Sequence, residues 1–155
     1  MIWEELREPL IFTELEAKNA GEVFDQVGQA FINLGMAKES YLNALREREA
    51  EYPTGLDIDG FGIAIPHTDV SHVNESGTAI ALLKDPVTFT VMGTDDEYTQ
   101  AKIIFMLCVK DPSTHMDKLQ RIIEMIQDRD FLERLALQTT KEDIIGIVKE
   151  KENTL

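Results

Sequence analysis

Apolar residues recur with two different periods along the chain, and the change of period separates helical from extended segments. Residues 11–14 are predicted as a short first strand. Asn19 can then cap a helix that Gly35 ends, with apolar positions at helical spacing: Val23, Phe24, Val27, Ala30, Phe31 and Leu34. A second helix is predicted from residue 38 to about residue 51, because Pro53 follows it.

The middle of the chain consists of short runs rich in Ile, Val, Phe and Thr, which are typical of strands. These runs are GFGIAIP (60–66), TAIALL (78–83), VTFTV (87–91) and KIIFMLCV (102–109). The helical period returns after Pro112, with Met116, Leu119, Ile123 and Ile126 on one stripe, followed by residues 131–137 and 144–148. Two helices, a group of strands and further helices predict a layered α/β or α+β domain that covers residues 1–155.

Composition and charge narrow the classes of function. The chain has 155 residues and carries 15 basic against 29 acidic side chains, a net charge of −14. This excludes most nucleic-acid binders, which need a basic surface, and suits a basic protein partner. The N-terminus lacks the basic and apolar regions of a signal peptide, and no apolar stretch approaches the roughly 20 residues of a membrane span. We therefore expect a cytoplasmic protein without membrane insertion.

Cysteine and motif content point away from redox, metal and nucleotide chemistry. Cys108 is the only cysteine, so no intrachain disulfide can form, and its position in an apolar run predicts a buried, inert thiol. The chain contains no CxxC, HExxH, Walker or complete dinucleotide motif, so neither a metal nor a nucleotide is expected.

The histidines are the strongest candidates for chemistry near neutral pH. His67 follows the apolar segment 63–66 where a strand should end, and strand ends are where sites of α/β proteins gather. A neutral imidazole there can act as a nucleophile, although a structural histidine at a strand end is the alternative. His115 lies in the first turn of a helix that begins between Asp111 and Thr114, where it could hold an anion. His72 is interpreted as a solvated loop residue.

Arg48 is placed unusually for a surface charge. On a helical wheel centred on Leu45, Arg48 and Glu49 border the buried stripe, while Glu47 points to the opposite side. One interpretation is structural, with Arg48 extended towards solvent or paired with Glu49 or Glu51. The other is that Arg48 serves a site.

The string GIAIPHTD (62–69), preceded by ALREREAEYPTGL (44–56), resembles the EIIA domains of the bacterial phosphoenolpyruvate-dependent sugar phosphotransferase system, in the fructose/mannitol superfamily. The matching positions are Arg48-Glu49, Thr54, the segment 62–67 that ends in His67, and His115. The REAEYPTG stretch is most similar to the galactitol-type branch, and the resemblance covers essentially the whole chain.

The resemblance implies a mixed β-sheet covered by helices, the phosphotransferase/anion-transport-protein-like fold. It also implies that His67 accepts a phosphoryl group from phospho-HPr and passes it to a cysteine of EIIB, which serves the membrane component EIIC. In this interpretation Arg48, His115 and the Thr54 hydroxyl would contact the phosphate, and Glu49 would orient Arg48 or His67. His115 could instead only cap its helix. No cofactor or metal is implied, and the alternative function is a regulatory, nitrogen-type EIIA-like phosphoprotein that controls a protein partner.

Overall fold

The computed structural model describes residues 1–155 and consists of one five-stranded sheet with helices on both faces. The strands are β1 Ile11–Leu15, β2 Gly55–Ile58, β3 Phe61–Ala64, β4 Gly77–Thr90 and β5 Tyr98–Cys108. The helices are α1 Ile2–Glu5, α2 Ala20–Val23, α3 Gln29–Asn33, α4 Tyr41–Glu51, α5 Pro112–Ile126, α6 Arg129–Ala136 and α7 Lys141–Glu152. A π-helical stretch, Phe24–Gly28, joins α2 to α3, and 3₁₀ turns lie at Glu8–Leu10 and Val70–His72.

The sheet is mixed, with strand order β1-β4-β5-β3-β2. β1 runs parallel to β4 and β3 runs parallel to β5, while β4 is antiparallel to β5 and β2 is antiparallel to β3. This confirms the predicted mixed sheet flanked by helices. Because β3 and β5 are parallel neighbours, their carboxyl ends open at the same edge of the sheet.

Two apolar clusters form the core, one on each face of the sheet, and β5 contributes to both. Alternate side chains of a strand point to opposite faces, so Ile103 and Phe105 pack on one side while Ile104 and Met106 pack on the other. The first cluster joins the sheet to α1, α5, α6 and α7, and the second joins it to α4 and residues 20–33. The central strands are therefore buried on both faces.

The first predicted elements agree with the structure apart from one boundary. β1 covers the predicted strand, the Asn19 side chain accepts a hydrogen bond from Glu22 N, and Gly35 has a φ of +74°. The second helix begins at Tyr41, three residues later than predicted. Residues 38–40 form a turn because Lys38 N donates to the His72 carbonyl and Tyr41 N donates to the Lys38 carbonyl.

The predicted strands TAIALL and VTFTV are one long strand, β4, and their prediction as two strands was wrong. Pairing with β5 shifts register between Leu82 and Val87, so the stretch between them is irregular rather than a turn. Pro86 lies there, where its missing N–H removes no hydrogen bond from the ladder.

β2 was missed by the sequence interpretation, although its turn has a sequence signal. Ile58 pairs with Phe61 across a two-residue loop, Asp59-Gly60, in which both residues have positive φ, 49° and 87°. An Asp-Gly pair in this conformation is typical of the tight hairpin turn that matches strand twist. The hairpin places β2 at the edge of the sheet beside β3.

Burial confirms the prediction for Cys108 and corrects the stripe of α5. The Cys108 side chain is fully buried, and burial raises the pKa of its thiol to about 12. In α5 the buried residues are Ile122, Met125 and Ile126, whereas Met116 is 71% exposed. No helix of the structure has the length and apolar character that a membrane span requires.

Candidate active site

His67 lies at the carboxyl end of β3, at the edge of the sheet that the parallel pair β3 and β5 share. β3 ends at Ala64, and Leu107 N of β5 donates to the Pro66 carbonyl, which extends the contact between the two chain segments up to the histidine. β5 ends at Cys108 and leads into α5, whose first turn carries His115. The two imidazole rings lie with their centroids 5.1 Å apart, at an angle of 57°.

One nitrogen of His67 is already engaged by the backbone. Nδ1 lies 2.9 Å from the Ile65 carbonyl oxygen, and a carbonyl can only accept, so a neutral His67 carries its proton on Nδ1. The lone pair of the neutral ring is then on Nε2. His67 is only 8% exposed, so packing fixes the orientation of its side chain together with this hydrogen bond.

The surroundings favour the neutral form of both histidines. Burial lowers the pKa of His67 from its ordinary value, and the positive charges near it add to this effect, while the hydrogen bond to Ile65 opposes it. Burial and then the Arg48 charge lower the pKa of His115. At pH 7 His67 therefore has the free lone pair that a nucleophile needs.

His115 faces a cleft of about 430 Å³ beside the sheet edge. Asp111 caps α5 by accepting a hydrogen bond from Ser113 N, and Pro112 occupies the first helical turn, which resolves the helix start that the sequence left ambiguous. His115 is half-buried. The cleft is lined by Arg48, Thr68, Asp69, Val70, Ser71, Pro112, His115 and Met116.

Arg48 reaches the same cleft from α4. Its Nη1 donates to Asp69 Oδ1 at 3.0 Å, and its guanidinium carbon lies 5.2 Å from the centre of the Tyr52 ring. Its Nε is buried and makes no hydrogen bond. The structural alternative of a pair with Glu49 or Glu51 is not what the structure shows, because the ion pair of Arg48 is with Asp69.

Glu49 and Thr54 are joined to each other, not to the cleft. Glu49 Oε2 accepts a hydrogen bond from Thr54 N at 2.6 Å, and Glu49 Oε1 accepts one from Thr54 Oγ1 at 2.7 Å. Burial outweighs these two bonds and raises the pKa of Glu49. The Thr54 hydroxyl, which was expected to contact the phosphate, therefore already has a different partner.

Thr54 in turn connects to His67 through the backbone. The Thr54 carbonyl accepts a hydrogen bond from Ile65 N at 3.2 Å, and the Ile65 carbonyl accepts from His67 Nδ1. A continuous chain of hydrogen bonds thus runs from the last turn of α4, through Glu49, to the imidazole. Glu49 makes no hydrogen bond to Arg48, so of its two expected partners only His67 is linked to it, and indirectly.

Two other residues near the cleft differ from what the sequence suggested. His72 is half-buried, and its Nδ1 lies 2.8 Å from Ser40 Oγ, which fixes the 3₁₀ turn against the start of α4. Asp69 was not identified from the sequence, because an acidic residue in a loop carries no periodic signal. Its available signal was its place at the end of the string GIAIPHTD, two residues after His67.

A comparison with protein families assigns the chain to a family. The family model described as "Phosphoenolpyruvate-dependent sugar phosphotransferase system, EIIA 2" matches residues 4–151. The chain therefore belongs to this family of phosphotransferase-system components, which relay phosphoryl groups. The resemblance identified from the sequence is confirmed.

The individual relatives have low sequence identity to this chain but match most of its length. The galactitol-specific EIIA component of Escherichia coli strain K12 is 28% identical over 114 residues, which are 74% of this chain and 75% of the relative. The mannitol-specific enzyme IIA component of Staphylococcus aureus strain N315 is 26% identical over 141 residues, 90% and 92% of the two chains.

Solved structures with the same fold include two at 22% identity. One is the mannitol enzyme IIA of Escherichia coli in complex with phosphorylated enzyme IIB, with a TM-score of 0.76 over 97% of this chain and 98% of that one. The other is the nitrogen regulatory protein IIA of Neisseria meningitidis, also with a TM-score of 0.76, over 94% and 97% of the two chains. At this identity they show the fold alone.

Proposed function

We propose that this chain is an EIIA phosphocarrier: Nε2 of His67 accepts a phosphoryl group from phospho-HPr and passes it to a cysteine of an EIIB partner. The observation that carries the proposal is the hydrogen bond between His67 Nδ1 and the Ile65 carbonyl. It leaves Nε2 with the lone pair of a neutral ring, and this ring lies 5.1 Å from the ring of His115, which lines the cleft together with Arg48.

Phosphoryl transfer requires this chain to position the reacting groups and to supply positive charge or hydrogen-bond donors, because its transition state is loose and carries negative charge on three equatorial oxygens. Arg48 supplies a planar set of donors and His115 supplies an N–H, while no further cofactor or metal is needed to form the new bond. As Nε2 bonds phosphorus, the ring gains positive charge, which the Ile65 carbonyl stabilises through the Nδ1 proton.

Glu49 and Thr54 act on the acceptor rather than on the phosphate. Glu49 fixes the Thr54 peptide, Thr54 fixes Ile65, and Ile65 fixes the His67 ring. We assign Glu49 as a positioning residue for His67, in line with the expectation that it orients one of its neighbours.

The proposed transported substrate and partners are inferred from the relatives. The galactitol-specific and mannitol-specific relatives support a hexitol or related sugar as the transported substrate, and galactitol is the first to test. The mannitol enzyme IIA solved with phosphorylated enzyme IIB supports an EIIB partner for this chain. Through EIIB the phosphoryl group would reach a sugar bound to EIIC.

The test is labelling with radioactive phosphoenolpyruvate, enzyme I and HPr, on the wild type and on His67→Ala. We expect an acid-labile label on the wild type and none on His67→Ala, with His72→Ala as the matched histidine control that keeps the label. Label that persists on His67→Ala would overturn the site assignment.

A second step separates the relay from a nitrogen-type regulator, whose fold is equally similar. The labelled chain is mixed with galactitol-type and mannitol-type EIIB. Transfer of label to an EIIB cysteine supports the sugar relay, whereas stable label that no EIIB accepts favours the regulatory function.

A further inference from the structure

Asp69 lines the cleft together with Arg48 and His115, and none of the roles above uses it. Its carboxylate accepts a hydrogen bond from Arg48 Nη1 at 3.0 Å. Asp69 also precedes the 3₁₀ turn Val70–His72, but its side chain makes no capping hydrogen bond there. The side chain is 72% exposed, so the carboxylate is held by Arg48 and is otherwise free to turn into solvent.

Arg48 keeps unused hydrogen-bonding capacity in this arrangement. Its Nε is buried without a partner, and of its terminal nitrogens only Nη1 has a side-chain partner, Asp69. A phosphoryl group on His67 would carry a charge close to −2 and three acceptor oxygens. It would therefore compete with the Asp69 carboxylate for the same guanidinium, and it would repel that carboxylate.

We infer that Asp69 is a counter-ion that holds Arg48 in the unphosphorylated state and is displaced by the phosphoryl group. This inference rests on the proposed function. In the phosphorylated state the free Asp69 carboxylate destabilises phospho-His67, so the phosphoryl group is passed on more readily than it would be without this charge. Asp69 is thus a residue that sets the phosphoryl-transfer potential of the site rather than one that binds the phosphate.

Each of the two transfer steps breaks one bond to phosphorus and forms another. In the first step the N–P bond of the donor phosphohistidine breaks and the Nε2–P bond of His67 forms, while Arg48 exchanges a carboxylate for phosphoryl oxygens. In the second step the Nε2–P bond breaks and an S–P bond forms on the acceptor thiolate. The His67 ring then returns to its neutral form with the proton on Nδ1, and Arg48 returns to Asp69.

The experiment measures the equilibrium of phosphoryl exchange between HPr and this chain for the wild type, Asp69→Asn and Asp69→Glu. We expect Asp69→Asn to shift the equilibrium towards the phosphorylated chain by about 3- to 10-fold, because an exposed pair is lost and a repulsion is removed. Asp69→Glu keeps the charge and should return towards the wild-type value.

The matched control is Asp25→Asn, which removes the carboxylate of another exposed Arg–Asp pair, Arg46 with Asp25, neither of which lines the cleft. It should leave the equilibrium unchanged. An unchanged equilibrium in Asp69→Asn would overturn the inference. A slower approach to the same equilibrium would also overturn it, since Asp69 would then act in partner docking.

A second measurement keeps this inference separate from the proposed function. Inorganic phosphate is titrated into the protein and followed through the ring signals of His67 and His115. We expect Asp69→Asn to bind phosphate at least about threefold more tightly than the wild type. Equal affinity would count against the counter-ion role, whereas failure of HPr to label the wild type would overturn the relay and leave this result standing.

Discussion

At the scale of single residues, the state of His67 decides whether it can act as a nucleophile. Its pKa is lowered from the ordinary value of 6.5, mainly by burial, so the ring is protonated only at a lower pH than a free histidine requires. We expect the ring signals of unphosphorylated His67 to titrate with a midpoint below 6.5. Phosphate acceptance should be constant from pH 7 to 8 and should fall as pH drops through this midpoint. A midpoint at or above 6.5 would contradict the burial argument.

Glu49 allows a test of the hydrogen-bond chain that ends at His67. Glu49→Ala leaves Thr54 N and the Thr54 hydroxyl without their partner in a part-buried position, which should lower the free energy of unfolding by about 1–3 kcal/mol. The Ile65 carbonyl should also lose its fixed position, so we expect the rate of His67 phosphorylation to fall about tenfold. The measurements are denaturant unfolding and initial rates of labelling.

Glu49→Gln is the control for this prediction, because it keeps the shape of the side chain. Its carbonyl can accept from Thr54 N, and its amide can donate to the Thr54 hydroxyl, which reverses that bond without breaking it. The variant should stay close to the wild type in both measurements. If Gln were as harmful as Ala, the charge of Glu49 would matter rather than the chain of hydrogen bonds.

The sequence identified the residues whose place depends on a regular element. His67 follows a strand and Arg48 borders a helical stripe, so periodicity made both residues candidates. Only the resemblance to the EIIA domains assigned them to one site. The partners of these residues were not predictable in the same way. Asp69 pairs with Arg48, and Thr54 pairs with Glu49, because helix α4 meets two loop residues there, and loop residues carry no periodic signal.

At the scale of elements, the contact between β3 and β5 is what places His67. Gly62 leaves no room for a side chain against β5: a Cβ there would lie 2.1 Å from the backbone oxygen of Gln100. Because that oxygen belongs to the backbone of β5, the strands would have to separate. We expect Gly62→Ala to lower the melting temperature and to reduce labelling of His67, measured by thermal unfolding and by the phosphoenolpyruvate assay.

Gly146 provides the matched glycine control. It lies inside α7, where an added Cβ meets no atom within 4 Å, and its φ is not positive. Gly146→Ala should stabilise the protein by about 0.5–1 kcal/mol and leave labelling unchanged. A similar loss of stability in both variants would show that the close approach of Gly62 to β5 is not the cause.

The elements that the sequence interpretation missed or divided share a physical reason. β2 is a four-residue edge strand, too short to give a period, and only its Asp59-Gly60 turn marks it. β4 was divided because an irregular stretch with Pro86 interrupts its pairing with β5. A turn and an irregular stretch within a strand both interrupt the period of apolar residues, so the local sequence cannot tell them apart. Only the pairing with the neighbouring strand distinguishes one irregular strand from two strands.

At the scale of the whole molecule, the two ends of the chain are joined by one buried carboxylate. Glu152, in the last turn of α7, is fully buried as a side chain and accepts hydrogen bonds from Ile2 N at 3.0 Å and Trp3 N at 2.6 Å. Its Oε2 also pairs with Arg121 Nε of α5 at 2.7 Å. Three helices that cover one face of the sheet therefore meet at this residue, on the opposite side of the core from α4.

Glu152→Ala should destabilise the whole fold without removing the phosphoacceptor site. The change leaves two backbone N–H groups without their acceptor, while the Arg121 side chain is 38% exposed and can be solvated. At about 1–3 kcal/mol for each unsatisfied group, we expect the free energy of unfolding to fall by about 2–5 kcal/mol, a large part of the total for a domain of this size. Glu150→Ala, at an exposed and longer contact of 3.6 Å to Arg134, should change it by less than about 1 kcal/mol. Denaturant unfolding of both variants, with labelling measured well below their melting temperatures, tests the prediction. Loss of labelling in folded Glu152→Ala would mean that α5 transmits the change to His115. The contacts of Glu152 with the first helix would then support the phosphoacceptor site as well as the stability of the fold.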